Sequence, residues 1–550
     1  MGSIQAMSSD PVLSRASTIM SSQVFPASQR AALLIAALFS ACLLMSGTAM
    51  ATAMQPARQA KTHRKVVAVA AVGLDTDDAR FLLARTGFQP DESEVRPFIG
   101  LSREQAVDRL LAGTLTKAVT PPPDWVNEPA ASREERNKYT PDEVRERQRL
   151  RAKRYEELRA WWVREMIVTP SPLTERMTLF WHNHFTSGQD KVRRPQLMYQ
   201  QNVLLRHDAL GNFGDMLHAV AKDPAMLIYL DGANSRKGRP NENFAREVME
   251  LFTLGEGHYS EADIKEAARA YTGWSIDPDT LAYMWRPQLH DTGEKTVLGQ
   301  TGDFDGDQVL DILLSRPETA TLISAKLWRE FISPTVDDTE LTPIADAFRA
   351  SHYDIKVVLR RLFLSKGFWA LDNRAALVKS PAEFVVGTVR QFNFSYDSTQ
   401  PLANAMRSLG QNLFYPPNVK GWPGGSSWID SSTLLARKQL TEQWMRASEG
   451  ARTQSAMVAV AASAANSLSA RAAAEEAKRR AASVRAGIRF DLDAWLAQFE
   501  LQPQQQPSLS RELQMQKAVL PMTPFDPVED GVTSEAYLQA LLMDPTYQLK

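Results

Sequence analysis

The sequence predicts an all-α fold, one large single helical domain with long loops and helical insertions. Three observations predict it. From Asp75 onward, apolar residues recur at helical spacing. Residues 132–164 are dense in Glu and Arg neighbours three and four apart, the spacing at which side chains meet on one helix face. No run of alternating β-branched residues of the kind a sandwich or parallel sheet needs is present. At 550 residues, 44% of them hydrophobic, the chain can bury a core without disulfides or metals to staple it.

The elements follow in order. Arg30 precedes an apolar run, residues 31–45, too short for a typical membrane span and suited to a signal-peptide core. Gly47 and Ala49-Met50-Ala51 form a small-x-small cleavage pattern, so residues 1–51 are expected to leave and the mature chain to start near Thr52. No twin arginine precedes the run, which points to the general secretory route and a periplasmic or extracellular destination. A retained anchor and a lipoprotein cleavage box at Phe39-Ser40-Ala41-Cys42 remain as alternatives. Residues 52–74 read as a tether and 75–550 as the domain, with insertions at about 132–164 and 451–506.

Within the domain, Ala79, Leu82 and Leu83 define a first helix that stops at Gly87. Pro121-Pro122-Pro123 breaks the chain, and residues 132–164 read as a long solvated helix. Pro240 suits the first turn of a helix whose buried side is Phe244, Val248, Leu251 and Phe252. Asp307 is expected to cap the helix after it. Residues 467–485 are rich in helix formers, Gln502 to Pro507 reads as a linker, and 536–542 as a last helix.

Charge and cysteine content exclude several functions. With 63 basic and 64 acidic side chains the chain lacks the basic excess of a general nucleic-acid binder. Cys42 is the only cysteine and lies in the export segment. The mature part therefore has no disulfide, thiolate zinc site, iron–sulfur cluster or attached haem c. No G-x-S-x-G, H-E-x-x-H, phosphate-loop or dinucleotide motif occurs.

Two segments carry the candidate chemistry. On the helix after Pro240, Glu242, Asn243, Arg246, Glu247 and Glu250 share the polar side. Three carboxylates around one arginine suit a divalent cation or acid–base work, or else a solvated face with Glu242–Arg246–Glu250 ion pairs. In Phe180-Trp181-His182-Asn183-His184-Phe185, the spacing turns His184 to the core and His182 away from it. The two imidazoles reach one metal only if the helix ends near Asn183; otherwise His184 is a hydrogen-bonded core residue. His258 and the turn from His290 to Lys295 are weaker candidates, and Asp303 to Asp307 fails as a calcium loop because Gln308 and Leu314 occupy its required Gly and Glu positions. The Gly421-to-Trp428 loop stacks on a sugar or caps the core.

In order, the blocks "ARFLLARTGF" from Ala79, "FWHNHFTS" from Phe180, the long run from Ala219 to Trp274, "HDTGEKTVLG" from His290, "LGQNLFYPPNVKGWPGG" from Leu409 and "LLMDPTYQ" from Leu541 resemble the domain of unknown function 1800 (DUF 1800) family. The resemblance implies an exported helical protein without an established activity. It also implies a pairing with a second exported family, domain of unknown function 1501 (DUF 1501), which resembles sulfatase-type enzymes. Many relatives carry His where this chain has Phe252, which weakens any metal site there. The expected site is one polar cleft. In it Asp231 and Asn241 position a ligand with Glu242 and His258, and Arg246 binds an anionic group. Glu247 or His184 acts as base, and Glu250, Glu247 and His184 are the metal candidates. The expected reaction is hydrolytic with a divalent metal as candidate helper. The alternative is a non-enzymatic accessory, maturation or surface-assembly partner of a DUF 1501-type protein. Membrane contact is expected only through an uncleaved export segment.

Overall fold

The computed structural model describes residues 73–129, 131–445, 487–500, 509–529 and 531–550. The export segment, nearly all of the tether and most of the 451–506 stretch, with its expected helix and linker, lie outside the described residues. What is described is predominantly α-helical, as the periodicity predicts. The helices used below are α1 (Thr76–Thr86), α2 (Pro141–Val168), α3 (Pro172–His184), α4 (Pro195–His207), α5 (Phe213–Ala221), α6 (Pro224–Tyr229), α7 (Glu242–Glu247), α8 (Glu261–Ala270), α9 (Gly306–Ser315), α10 (Pro317–Phe331), α11 (Pro381–Gln391) and α12 (Ser534–Met543). None of the described helices is long and apolar enough to cross a membrane.

Two helices occupy the centre. Helix α11 is buried along its whole length, and α3 is buried without a break from Leu173 to Leu179. Helices enclosed this way have no solvated side for their polar residues, so each must find an internal partner. Glu175 of α3 takes a two-pronged contact from Arg206 of α4 at 2.5 and 3.0 Å, and the Trp162 indole of α2 at 2.8 Å. Arg176, next along α3, meets Glu383 of α11 at 2.6 Å and also Glu330 of α10. Glu383 in turn takes the Lys550 ammonium, and its own backbone is locked by a reciprocal cap with Ser380. The last residues are held beside it by main-chain bonds, Lys379 N–H to the Gln548 carbonyl at 2.8 Å and Lys550 N–H to the Leu377 carbonyl at 2.8 Å.

Three expectations need correction. Helix α2 is solvated only through its first half; from Tyr155 its tyrosine, leucine and tryptophans enter the core. Pro240 precedes α7 and does not open it, because Asn241 takes the cap by accepting from the Asn243 and Phe244 amides. The cap of α9 is Asp305, paired reciprocally with Gln308, while Asp307 is spent on Lys222 and His218. The chain also carries two antiparallel ribbons: β1 (Trp274–Ile276) pairs with β2 (Tyr283–Trp285), and β3 (Lys295–Val297) with β4 (Gln300–Gly302). Three-residue strands are too short to show an alternating pattern. The helices expected at Ala79 to Gly87 and at 536–542 are found as α1 and α12.

Burial alone would raise the Glu383 carboxyl, but Arg176 and Lys550 outweigh it and hold the group below its ordinary value. A carboxylate held low stabilises the fold above its unfolded pKa and loses that contribution as pH falls through the folded one. Glu383→Gln leaves two buried cations facing a neutral amide, so it is expected to cost about 3–5 kcal/mol in urea unfolding at neutral pH. A loss under about 1 kcal/mol would mean that this ion pair does not organise the core.

Candidate functional site

The polar side of α7 is where most of the predicted residues gather, though not as one cleft. After Glu247 the backbone widens into a π-helical turn, Val248–Thr253, in which the Leu254 amide reaches back to the Met249 carbonyl. The carbonyls of Leu251 and Phe252 lie at the end of that turn, where a helix has no amides left to offer. Lys326 of α10 donates to the Leu251 carbonyl at 2.9 Å, and His184 Nε2 lies 3.2 Å from the Phe252 carbonyl. Lys326 also donates to His184 Nδ1 at 3.0 Å, which leaves Nε2 as the protonated nitrogen.

His184 is therefore a structural group. Both nitrogens are engaged and the ring is packed among Trp181, Phe185, Phe213 and Phe252. Burial, with the Lys326 charge, holds its pKa well below the ordinary value, so the ring is neutral. This corrects its expected roles as base and metal ligand: no lone pair is left for either. Phe252 places its phenyl ring 6.0 Å from the imidazole. His182 is also corrected. It does not face away from the core but is fully buried between Trp162 and Phe414, with no hydrogen-bond partner for either nitrogen among the described residues.

On the outer side of the same turn, Glu250 accepts the Tyr259 hydroxyl at 2.7 Å, and Lys420 lies 3.9 Å from it. Glu247 has no hydrogen-bond or ion-pair partner among the described residues. Half-burial and then the Glu250 charge raise its pKa, against Lys420, Arg246 and Lys191. Arg246 forks onto Glu261 of α8 at 2.7 Å through both nitrogens, so the expected Glu242–Arg246–Glu250 ladder is replaced by a pair to the next helix. Asn241 is committed to capping: its side-chain amide donates to the Leu230 carbonyl at 2.8 Å. Asp231 is exposed in a left-handed backbone conformation, 4.0 Å from Lys191. Glu242 is half-buried, and His258 is exposed, within electrostatic reach of Glu318. Neither joins Glu247. Among the described residues no three His, Cys, Asp or Glu side chains gather as a metal site.

Sequence reasoning missed the residues that complete this face. Lys420 is delivered by the Asn418-to-Gly425 loop, which Asn183 holds: its side-chain oxygen accepts the Trp422 amide at 2.7 Å and its nitrogen donates to the Trp422 carbonyl. Gly421 has φ +81° and lies against Asn183 so closely that any side chain would collide with it. Lys191 donates to the Tyr229 carbonyl at the end of α6 and lies over the Tyr229 ring. Asn183, Tyr229 and Lys420 stand inside the sequence blocks quoted above, but each is ordinary in its local pattern. Trp422 and Trp428 are buried, so the loop caps the core. His290 bonds to the Thr272 carbonyl and Asp291 to Arg269, so that turn holds no imidazole–carboxylate pair.

The model of the DUF1800 family, described as "Protein of unknown function", matches residues 81–549. The chain belongs to the DUF1800 family. No curated protein and no solved structure matches it. The DUF1800 match spans α2 to α12, the π-turn and the Lys420 loop together.

Burial, aided by the nearby Arg206 guanidinium, lowers the His182 pKa to about 4. A histidine held neutral supports the fold above its unfolded pKa of about 6.5 and weakens it below. The wild type is expected to lose about 1.4 kcal/mol per pH unit from this residue between about pH 6.5 and 4. His182→Leu, which removes an unpaired buried imidazole, should unfold with that much less pH dependence in the same window. An unchanged slope would show that His182 is not held neutral.

Proposed function

We propose that this DUF1800 protein is an exported, non-catalytic accessory that works by binding, through the polar face centred on Glu247 and Glu250, to a DUF 1501-type exported protein. The observation that carries this reading is the commitment of the two imidazoles, the groups a hydrolytic site would draw on. His184 closes the end of the π-turn, and His182 is sealed between aromatic rings. What the face offers a partner is mixed charge: Glu247, Glu250, Lys420, Lys191 and Asp231, set on a rigid helix turn and an anchored loop. Mixed fixed charges of this kind select a partner and its register.

The hydrolytic reading keeps one observation in its favour. Glu247 is half-buried, raised in pKa and without a hydrogen bond, which is how a proton donor is often poised. A raised carboxyl destabilises the fold as pH rises through its pKa, so Glu247→Gln is expected to leave the thermal midpoint unchanged or higher at pH 7.

The test is capture of the tagged full chain from the envelope of cells that carry a neighbouring DUF 1501-type gene. The DUF 1501-type protein is expected in near-stoichiometric amount, falling at least about fivefold with Glu247→Lys or Lys420→Ala, a loss of about 1 kcal/mol. Its absence from the wild-type capture would sink the accessory reading. Conversion of a substrate by the wild type that Glu247→Gln abolishes would replace it with the hydrolytic one.

A further inference from the structure

Away from the α7 face, the solvated half of α2 forms one wall of a cleft of about 680 Å³ whose other side is the chain entering α4. Six arginines line it: Arg136, Arg147, Arg151, Arg154, Arg193 and Arg194. The one carboxylate in the lining is Glu128, and it is taken by Arg154. In a chain whose charges balance overall, this is a strong local excess. Arg136 donates to the Ala131 and Pro278 carbonyls, and Arg193 to the Asp190 carbonyl at 3.2 Å, so their positions are set by the backbone while their charge is unspent. Arg151 and Arg194 have no ion-pair partner among the described residues. Arg194 is half-buried, and burial together with Arg136, Arg151 and Arg147 makes its charged form less favourable. A second cleft of about 520 Å³ adjoins the first at Gln148, Arg151 and Arg193, but its lining also holds Glu156, Asp190 and the exposed Tyr415, so the cationic excess belongs to the first.

Cations held near one another without counter-charge cost free energy that an anionic ligand would recover. Guanidinium forks match carboxylates and sulfates bidentately. Between the arginines the lining mixes amides, Asn127, Gln148 and Gln196, with the exposed aliphatic Val144 and Leu150, which suits the hydroxyls and C–H faces of a sugar ring. Tyr139 is the aromatic residue of the larger cleft, and its face is already covered by Arg147 at 3.9 Å. A single-stranded nucleic acid needs open aromatic faces for its bases, and this cleft offers none. We infer that the arginine-lined trough between α2 and the start of α4 binds an anionic oligosaccharide, its carboxylate or sulfate groups held by Arg151, Arg194 and their neighbours.

The test is titration of the full chain with an oligogalacturonate and, separately, a heparin hexasaccharide, which distinguish carboxylate from sulfate. Maltohexaose serves as the neutral control and a short single-stranded DNA as the competitor. Binding of at least one anionic sugar is expected, weakening about tenfold or more between 50 and 200 mM salt, with none for maltohexaose. Arg151→Glu, at a partly exposed position that the core does not use, should lower affinity at least about tenfold, and Arg194→Ala comparably. Arg360→Ala, at an exposed arginine paired with Asp108 outside the trough, should leave it unchanged. No binding of either anionic sugar, equal binding by Arg151→Glu, or tighter binding of the DNA would each overturn the inference.

Discussion

Glu383 is the negative charge around which two buried cations, Arg176 and Lys550, are arranged, and the geometry of the domain follows from that contact. Arg176 projects from α3, so its pairing fixes how α3 lies on α11. The orientation of α3 then decides where Glu175, His182, Asn183 and His184 point. Glu175 secures α4 and α2, Asn183 secures the Lys420 loop, and His184 secures the π-turn. A buried charge pair is weak as a source of net stability but strict about geometry, since either partner left alone is costly. Here that strictness is passed along one helix to every part of the α7 face.

The two polar regions differ in how their charges are spent. On the α7 face nearly every group is answered: Arg246 by Glu261, Glu250 by Tyr259, and Asn241 by the backbone. Glu247 is the exception. Along the α2 trough the imbalance is collective, with arginines placed by carbonyls that do not neutralise them. A face whose charges are internally paired suits a macromolecular surface that exchanges pairs. A trough of unanswered cations suits a ligand that brings the missing anions. The proposals made for the two regions follow that contrast.

Much of the fold was legible in the sequence because it rests on local rules. The α1 stop at Gly87, the apolar side of α7 and the last helix are periodicity and capping, which any short window contains. The site was less legible because it rests on contacts between segments distant in sequence. Spacing put Glu242, Arg246 and Glu250 on one side of a helix, but Glu261 won the arginine by approaching from α8. Nothing around Asn183 indicates that it holds a loop more than 230 residues away. The π-turn was invisible for a similar reason: its carbonyls are tolerable only because Lys326 and His184 arrive from two other helices. His182 misled most, since helical geometry turned it outward while α2 and the Phe414 segment closed over it.

The pinned end of the domain has a kinetic consequence. Lys550 must be present before Glu383 has both of its cations, and Lys517 meets Asp77 across almost the whole domain. A ribosome delivers Lys550 167 residues after Glu383, so for that stretch of synthesis the middle of the domain lacks the contact that orders it. Slow closure of this kind is a hazard in a crowded cytoplasm, where half-formed helical surfaces aggregate. For the exported protein proposed above it would be an advantage, because a translocation channel admits only what has not yet folded.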